Sequence, residues 1–141
     1  MSKPQLYAFD FDGVLCDSAL ETSLTAWRAA RDYVWPKMPE HIPPDVIEQF
    51  KYVRPALETG YESILIVRLL FEGIDADTLL NEFQYHIEGL IKRDRLDTEK
   101  LKQQFGSTRD EWLKRDLPEW LKMNPLFSGV QAKLASININ Y

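Results

Sequence analysis

The first hydrophobic run of the chain, from Leu6 to Phe9, is short and continuous, as is typical of a buried strand. Two carboxylates follow it, at Asp10 and Asp12. Gly13 comes next, where the backbone can turn sharply because glycine has no Cβ. Carboxylates at the end of a buried strand lie where open α/β sheets bind ligands. The pattern therefore predicts a strand that leads into an acidic turn.

Beyond this turn, apolar residues recur mostly at helical spacing and predict about six helices followed by one more near the C-terminus. Ser18 with Glu21, and Thr108 with Glu111, match the capping box that begins a helix. The apolar segment from Ser63 to Phe71 is ambiguous between strand and helix, and its length favours a helix. The helices are expected over residues 18–34, 44–54, 63–71, 75–93, 97–106, 108–117 and 129–136.

Composition and charge narrow the class of protein. The 141 residues suffice for one domain with a core, and the net charge of −5 argues against nucleic acid or an anionic membrane as a partner. Cys16 is the only cysteine, so an intrachain disulfide is impossible and a cytoplasmic location is expected. No apolar run is long enough to cross a membrane, and the N-terminus does not resemble a signal peptide.

The paired carboxylates indicate a particular chemistry. A carboxylate can act as a nucleophile and form a covalent acyl phosphate, which divides one difficult displacement into two easier ones. A second carboxylate two positions on can protonate the leaving group and then activate water. Two close anions also repel each other, and a hard cation such as Mg²⁺ relieves that repulsion. Asp10 and Asp12 are therefore the candidate catalytic and metal-binding residues.

The stretch from Asp10 to Leu15, D-F-D-G-V-L, resembles motif I of the haloacid dehalogenase superfamily, D-x-D-G-[VT]-L. Its continuation to Ser18 is similar to the branch that contains phosphoglycolate phosphatases and β-phosphoglucomutases. The resemblance implies an α/β, Rossmann-like ancestry and a Mg²⁺-dependent phosphatase acting on a small phosphorylated metabolite. It implies that Asp10 is the nucleophile and Asp12 the general acid/base. Mg²⁺ would be held by the Asp10 side chain and the Asp12 carbonyl.

The same resemblance implies a domain division. Members of this branch carry a helical cap after motif I and return to the core through a segment similar to the one from Pro125 to Leu134. Residues 16–124 would be the cap, and residues 1–15 and 125–141 would form a partial core with one N-terminal strand. The chain as present is thus expected to be predominantly α-helical. Cap arginines such as Arg54 or Arg68 would either hold a phosphate or carboxylate or be ordinary surface residues.

Members of the family also need a Ser or Thr, a Lys and an acidic pair after the return segment. Here Lys133 precedes Ser136, and no acidic residue follows Glu119. We therefore expect a phosphatase that is incomplete or inactive by itself, with weak Mg²⁺ binding. Self-association, pairing of residues 137–141 with the first strand, or a separate C-terminal core would complete it. The alternative is a non-catalytic helical interaction module that retains motif I as a relic.

Overall fold

The computed structural model describes residues 6–137, which contain eight α-helices, most of them packed into one bundle. A π-helical turn continues the first helix, and a 3₁₀ turn continues the second. The expected predominance of helix is confirmed. The helices are α1 (Ala19–Ala29), α2 (Pro44–Val53), α3 (Gly60–Phe71), α4 (Ala76–Asn81), α5 (Phe83–Asp94), α6 (Thr98–Arg115), α7 (Leu117–Lys122) and α8 (Val130–Ala135), with the π turn at Ala30–Val34 and the 3₁₀ turn at Arg54–Ala56.

Helix α3 forms the centre of the bundle. Four consecutive residues, from Ile64 to Val67, have no exposed surface. Since an α-helix has 3.6 residues per turn, four consecutive buried residues mean that this helix is covered on every side. Helices α1, α2, α5 and α6 all pack against it. Its helical state agrees with the expectation from its length, despite its β-branched residues.

The expected N-terminal strand is absent among residues 6–137. Residues 6–11 adopt no regular secondary structure, and Leu6 is 93% exposed. The physical reason is that a strand needs a neighbour for its backbone hydrogen bonds, and within the described range only isolated bridges form, from Cys16 to Asp12 and to Leu126. Of the suggested partner segment, residues 138–141 lie outside the described residues.

Two predicted helix boundaries were wrong. The single helix expected over residues 75–93 is divided into α4 and α5 at Glu82, whose φ of −130° and ψ of 42° are not helical. The two helices expected over residues 97–117 are one helix, α6, which continues through Gly106. The Thr108 hydroxyl does not begin a helix, since it donates to the Gln104 carbonyl one turn earlier, at 2.8 Å.

The first predicted capping box was also wrong. Ser18 makes no side-chain hydrogen bond to the first turn of α1. Instead, the Asp17 carboxylate accepts a hydrogen bond from the Ala19 amide at 3.1 Å. Glu21 turns away from the helix start and into the bundle, where it meets Arg109. A short Ser-x-x-Glu pattern therefore marked the correct helix start for an incorrect reason.

The acidic turn and the return segment lie side by side. The Asp17 amide donates to the Pro125 carbonyl at 2.8 Å, and the Phe127 amide donates to the Leu15 carbonyl at 3.0 Å. The segment that follows the acidic turn is thus joined to the return segment through backbone hydrogen bonds. Within residues 6–137, no helix is long and apolar enough to cross a membrane.

We expect opposite effects from alanine at two glycines of this bundle. A Cβ at Gly60 would lie 2.6 Å from the buried Phe105 ring, so Gly60→Ala should destabilise the fold by about 1–3 kcal/mol. A Cβ at Gly106 would meet nothing within 4 Å, so Gly106→Ala should stabilise α6 by about 1 kcal/mol. Urea denaturation of the two variants measures both. A loss of stability in Gly106→Ala would show that α6 is interrupted there.

Candidate functional site

The acidic turn forms part of a cleft of about 360 Å³ that lies between the turn and several helices of the bundle. Helices α1 and α6, the start of α3 and the loop that precedes α3 supply the other walls. Most of the lining residues are polar or charged, which suits a small, charged ligand. They are Asp10, Asp12, Thr22, Arg54, Leu57, Glu58, Thr59, Gly60, Ser63, Phe105 and Arg109.

The backbone of the acidic turn is a tight loop centred on the Phe11 carbonyl. That carbonyl accepts hydrogen bonds from the amides of Leu15 at 3.0 Å and Cys16 at 3.2 Å. Gly13 has a φ of +72°, a left-handed conformation that suits glycine, and its amide donates to the Cys16 carbonyl at 3.0 Å. Asp12 therefore sits on a loop that is closed by its own hydrogen bonds.

The two carboxylates of this turn are exposed and form no ion pair with any residue of the range 6–137. Asp10 Oδ1 accepts a hydrogen bond from the Phe11 amide at 2.8 Å. The structure therefore brings the two predicted site residues, Asp10 and Asp12, to one cleft, with oxygen atoms free to bind a ligand.

Cys16 lies directly beneath the turn and is fully buried. Burial raises the pKa of the Cys16 thiol, and the negative charge of Asp12 raises it further. The thiol is therefore neutral near neutral pH and a poor nucleophile, because the thiolate is the reactive form. Cys16 packs under the site as a small apolar residue.

A buried ion pair crosses the cleft wall between α1 and α6. Arg109 donates from Nε to Glu21 Oε1 at 2.9 Å and from Nη2 to Oε2 at 2.7 Å. The Glu21 side chain has no exposed surface, and Oε1 also accepts from the Thr25 hydroxyl at 2.7 Å. This pair fixes the spacing of the two helices that border the cleft.

Sequence reasoning missed Arg109 altogether. The signal was Glu21, an acidic residue in a helix whose other buried positions carry only uncharged side chains, among them Thr25, Ala26 and Trp27. A carboxylate buried on such a face needs a cation, since burial without one is strongly unfavourable. A cationic partner for Glu21 could therefore have been predicted, although not which of the chain's 17 lysines and arginines supplies it.

The two arginines singled out from the sequence have different surroundings. Arg54 lines the cleft, and its Nε atom is buried without a hydrogen-bond partner among residues 6–137. Arg68 lies elsewhere, where its Nε donates to Glu72 Oε1 at 2.7 Å and its guanidinium lies 5.1 Å from the centre of the Trp35 ring. Of these two arginines, only Arg54 lines the cleft.

The loop that precedes α3 and lines the cleft, residues 57–59, is anchored by Glu62 in the first turn of α3. Its Oε2 atom accepts hydrogen bonds from the amides of Glu58 at 2.8 Å and Thr59 at 3.0 Å. Glu62 is itself buried, so this anchor is shielded from water. The loop is therefore held in place by α3, the most buried helix of the bundle.

The carboxylates that line the cleft and form no ion pair within residues 6–137 are those of Asp10, Asp12 and Glu58. Across residues 6–137, no group of three or more His, Cys, Asp or Glu side chains is arranged to hold a metal ion. Mg²⁺ often binds through one or two carboxylates and completes its octahedron with water and phosphate oxygens. The site therefore fits Mg²⁺ only as a weak site that water and a bound phosphate complete.

No protein-family model, curated protein or solved structure matches this chain. The resemblance to the haloacid dehalogenase superfamily therefore rests on the acidic turn and the return segment alone.

The buried pair should respond unequally to the loss of its two members. Arg109→Gln leaves the fully buried Glu21 carboxylate without a counter-ion, which should cost about 3–5 kcal/mol. Glu21→Gln keeps hydrogen-bonding capacity toward Thr25 and leaves a partly exposed arginine, so we expect a loss of about 1–2 kcal/mol. Urea denaturation at neutral pH gives both values. Equal losses, or the reverse order, would contradict the assignment of a buried, arginine-dependent carboxylate.

Proposed function

We propose that this chain is a phosphatase-like hydrolase in which Asp10 accepts a phosphoryl group from a small phosphate ester. The observation that carries the proposal is the presence of two carboxylates, Asp10 and Asp12, that form no ion pair within residues 6–137, in a cleft that is also lined by two arginines. Arginine is a preferred partner of phosphate oxygens, and a carboxylate is the nucleophile that phosphoryl transfer through a covalent intermediate requires.

The reaction has two steps. An Asp10 carboxylate oxygen attacks phosphorus, the bond from phosphorus to the ester oxygen breaks, and Asp12 in its acid form protonates the departing alkoxide. Asp12, now a carboxylate, then takes a proton from water, whose oxygen attacks the phosphorus of the aspartyl phosphate, and the bond from phosphorus to the Asp10 oxygen breaks. Inorganic phosphate leaves, and both carboxyl groups return to their starting states.

The cofactor of this proposal is Mg²⁺. Asp10 would hold it through its side chain and Asp12 through its backbone carbonyl. A divalent cation there would neutralise negative charge on the phosphoryl oxygens. Asp10, Asp12 and the loop closed on the Phe11 carbonyl would hold the reacting oxygens in place.

Turnover by the chain alone should be slow. Among residues 6–137, no lysine lines the cleft. Each missing electrostatic group typically costs about 10²–10³ in rate. The step that suffers least is formation of the aspartyl phosphate from an activated donor, because a good leaving group needs no acid. The covalent intermediate is therefore a better readout of the function than turnover.

A second candidate function is a non-catalytic interaction module, and one observation favours it. Large apolar side chains are exposed around the acidic turn and the return segment, and they would be covered in a self-associated form or by a partner. These are Leu6, Tyr7, Phe9, Phe11, Val14, Leu126 and Phe127. In that case the acidic turn would be a relic, and Asp10 would not accept a phosphoryl group.

We expect the wild-type chain, incubated with radiolabelled acetyl phosphate and Mg²⁺, to acquire a label that hydroxylamine releases, as an acyl phosphate does. Asp10→Asn should abolish the label because the nucleophilic oxygen is gone. Asp12→Ala should retain it for longer, because water is no longer activated. Asp110→Asn, which alters an exposed aspartate of α6 outside the cleft, is the matched control and should label normally.

Two outcomes would contradict the proposal. The first is an equal amount of bound radiolabel in the wild type and in Asp10→Asn. The second is the absence of any label in a folded wild-type chain, which would favour the interaction module.

A further inference from the structure

The two arginines of the cleft differ in whether their charge is already neutralised. Arg109 forms two hydrogen bonds with the buried carboxylate of Glu21, at 2.9 and 2.7 Å. Its guanidinium also lies 4.7 Å from the centre of the Phe105 ring. Releasing Arg109 toward a ligand would leave Glu21 buried and unpaired, which is costly. Arg109 is thus a structural cation of the cleft wall.

Arg54 has the opposite environment. Its Nε atom is buried, yet none of residues 6–137 accepts a hydrogen bond or forms an ion pair with its side chain. A buried donor without an acceptor destabilises the fold unless another molecule supplies one. The backbone at this position is nevertheless fixed, since the Leu57 amide donates to the Arg54 carbonyl at 3.2 Å and closes the 3₁₀ turn.

The position of Arg54 relative to the acidic turn is equally informative. On one side it lines the main cleft together with Asp10 and Asp12. On its other side it lines a second cavity of about 240 Å³ that Gly13 and Asp17 also border. Arg54 therefore borders both of the cavities that the acidic turn lines, so it shares the main cleft with Asp10.

We propose that Arg54, and not Arg109, binds the anionic oxygens of a ligand in the cleft, and that this ligand is a phosphate group. The planar guanidinium offers parallel N–H donors that match two oxygens of a phosphate. Within residues 6–137 no side chain already engages the Arg54 guanidinium, so its charge is available to such a ligand. The inference rests on the proposed phosphatase-like function and names the residue that gives the cleft its affinity for phosphate.

The charges of the cleft explain why one arginine matters so much. Asp10, Asp12 and Glu58 all line it, while Glu21 already neutralises Arg109. Without Arg54, the described lining would present only negative charge to an approaching phosphate dianion. Removing Arg54 should therefore abolish most of the binding, whereas removing a carboxylate should strengthen it.

The test is a titration of the full chain with inorganic phosphate, followed by calorimetry and by the Nε–H signals of the arginine side chains in NMR spectra. In the wild type, the Arg54 signal should shift on titration and the Arg109 signal should not. Loss of a charge-assisted hydrogen bond typically costs about 1.5–3 kcal/mol, so Arg54→Gln should weaken phosphate binding about 10-fold to 100-fold. Arg68→Gln, the matched control outside the cleft, should bind phosphate like the wild type.

A further variant separates this inference from the proposed hydrolase function. Asp10→Asn cannot form the aspartyl phosphate, but it should bind inorganic phosphate at least as tightly as the wild type because one negative charge is gone. Loss of labelling with retained, Arg54-dependent phosphate binding is therefore the expected pattern for Asp10→Asn. Phosphate binding by the wild type without any Asp10 label would refute the hydrolase function and leave the role of Arg54 intact.

Three results would overturn the role of Arg54. These are unchanged phosphate binding in a folded Arg54→Gln chain, a titration that shifts the Arg109 signal but not that of Arg54, and no phosphate binding by the wild type. If Arg54→Gln does not fold, Arg54→Lys keeps the charge without the planar fork, and it should bind phosphate more weakly than the wild type. Equal binding by Arg54→Lys would then contradict the bidentate contact.

Discussion

The structure depends on the burial of α3, a helix with apolar residues around most of its circumference. A helix of this kind is unfavourable in water unless other elements cover it on all sides. Helices α1, α2, α5 and α6 provide that cover, and residues of all five belong to one hydrophobic core. The sides of α3 are thus sealed, while the residues at its N-terminal end, Gly60 and Ser63, border the cleft. The position of the cleft is therefore a consequence of how the core is closed.

The same constraint orders the polar groups around the cleft. Where α1 and α6 meet beside α3, Glu21 and Arg109 are both carried toward the interior, and their mutual ion pair is what makes the burial of each tolerable. Glu62, in the first turn of α3, ties down the loop before it. Arg54 differs because it has no such partner in the described part of the chain. Structural stability accounts for the first two interactions, and ligand binding gives a reason for the unpaired arginine.

The sequence predicted features that depend on neighbouring residues better than features that depend on residues far apart in the chain. Local signals were informative: the apolar run at Ile64 was long enough to identify a helix, and the acidic pair pointed to two residues that line the cleft. The helix end expected at Gly106 was wrong, because α6 continues through this residue without a left-handed backbone. The Glu21–Arg109 pair joins residues 88 positions apart, and no pattern within one segment reveals such a partner. The prediction of an N-terminal strand was wrong because a strand depends on a neighbouring strand, which the local sequence does not specify.

The central claim is that the acidic turn and the unpaired Arg54 face the same cleft, at the end of α3. Paramagnetic relaxation by Mn²⁺ tests it most directly, because Mn²⁺ prefers the same oxygen ligands as Mg²⁺ and broadens the NMR signals of nearby nuclei. With Mn²⁺ at Asp10 and Asp12, the account predicts broadening of Arg54, Thr59 and Gly60 as well as of the acidic turn. Arg68 should be unaffected, and Asp10→Asn should remove the effect. Broadening confined to the acidic turn, with Arg54 and Gly60 unchanged, would contradict the account.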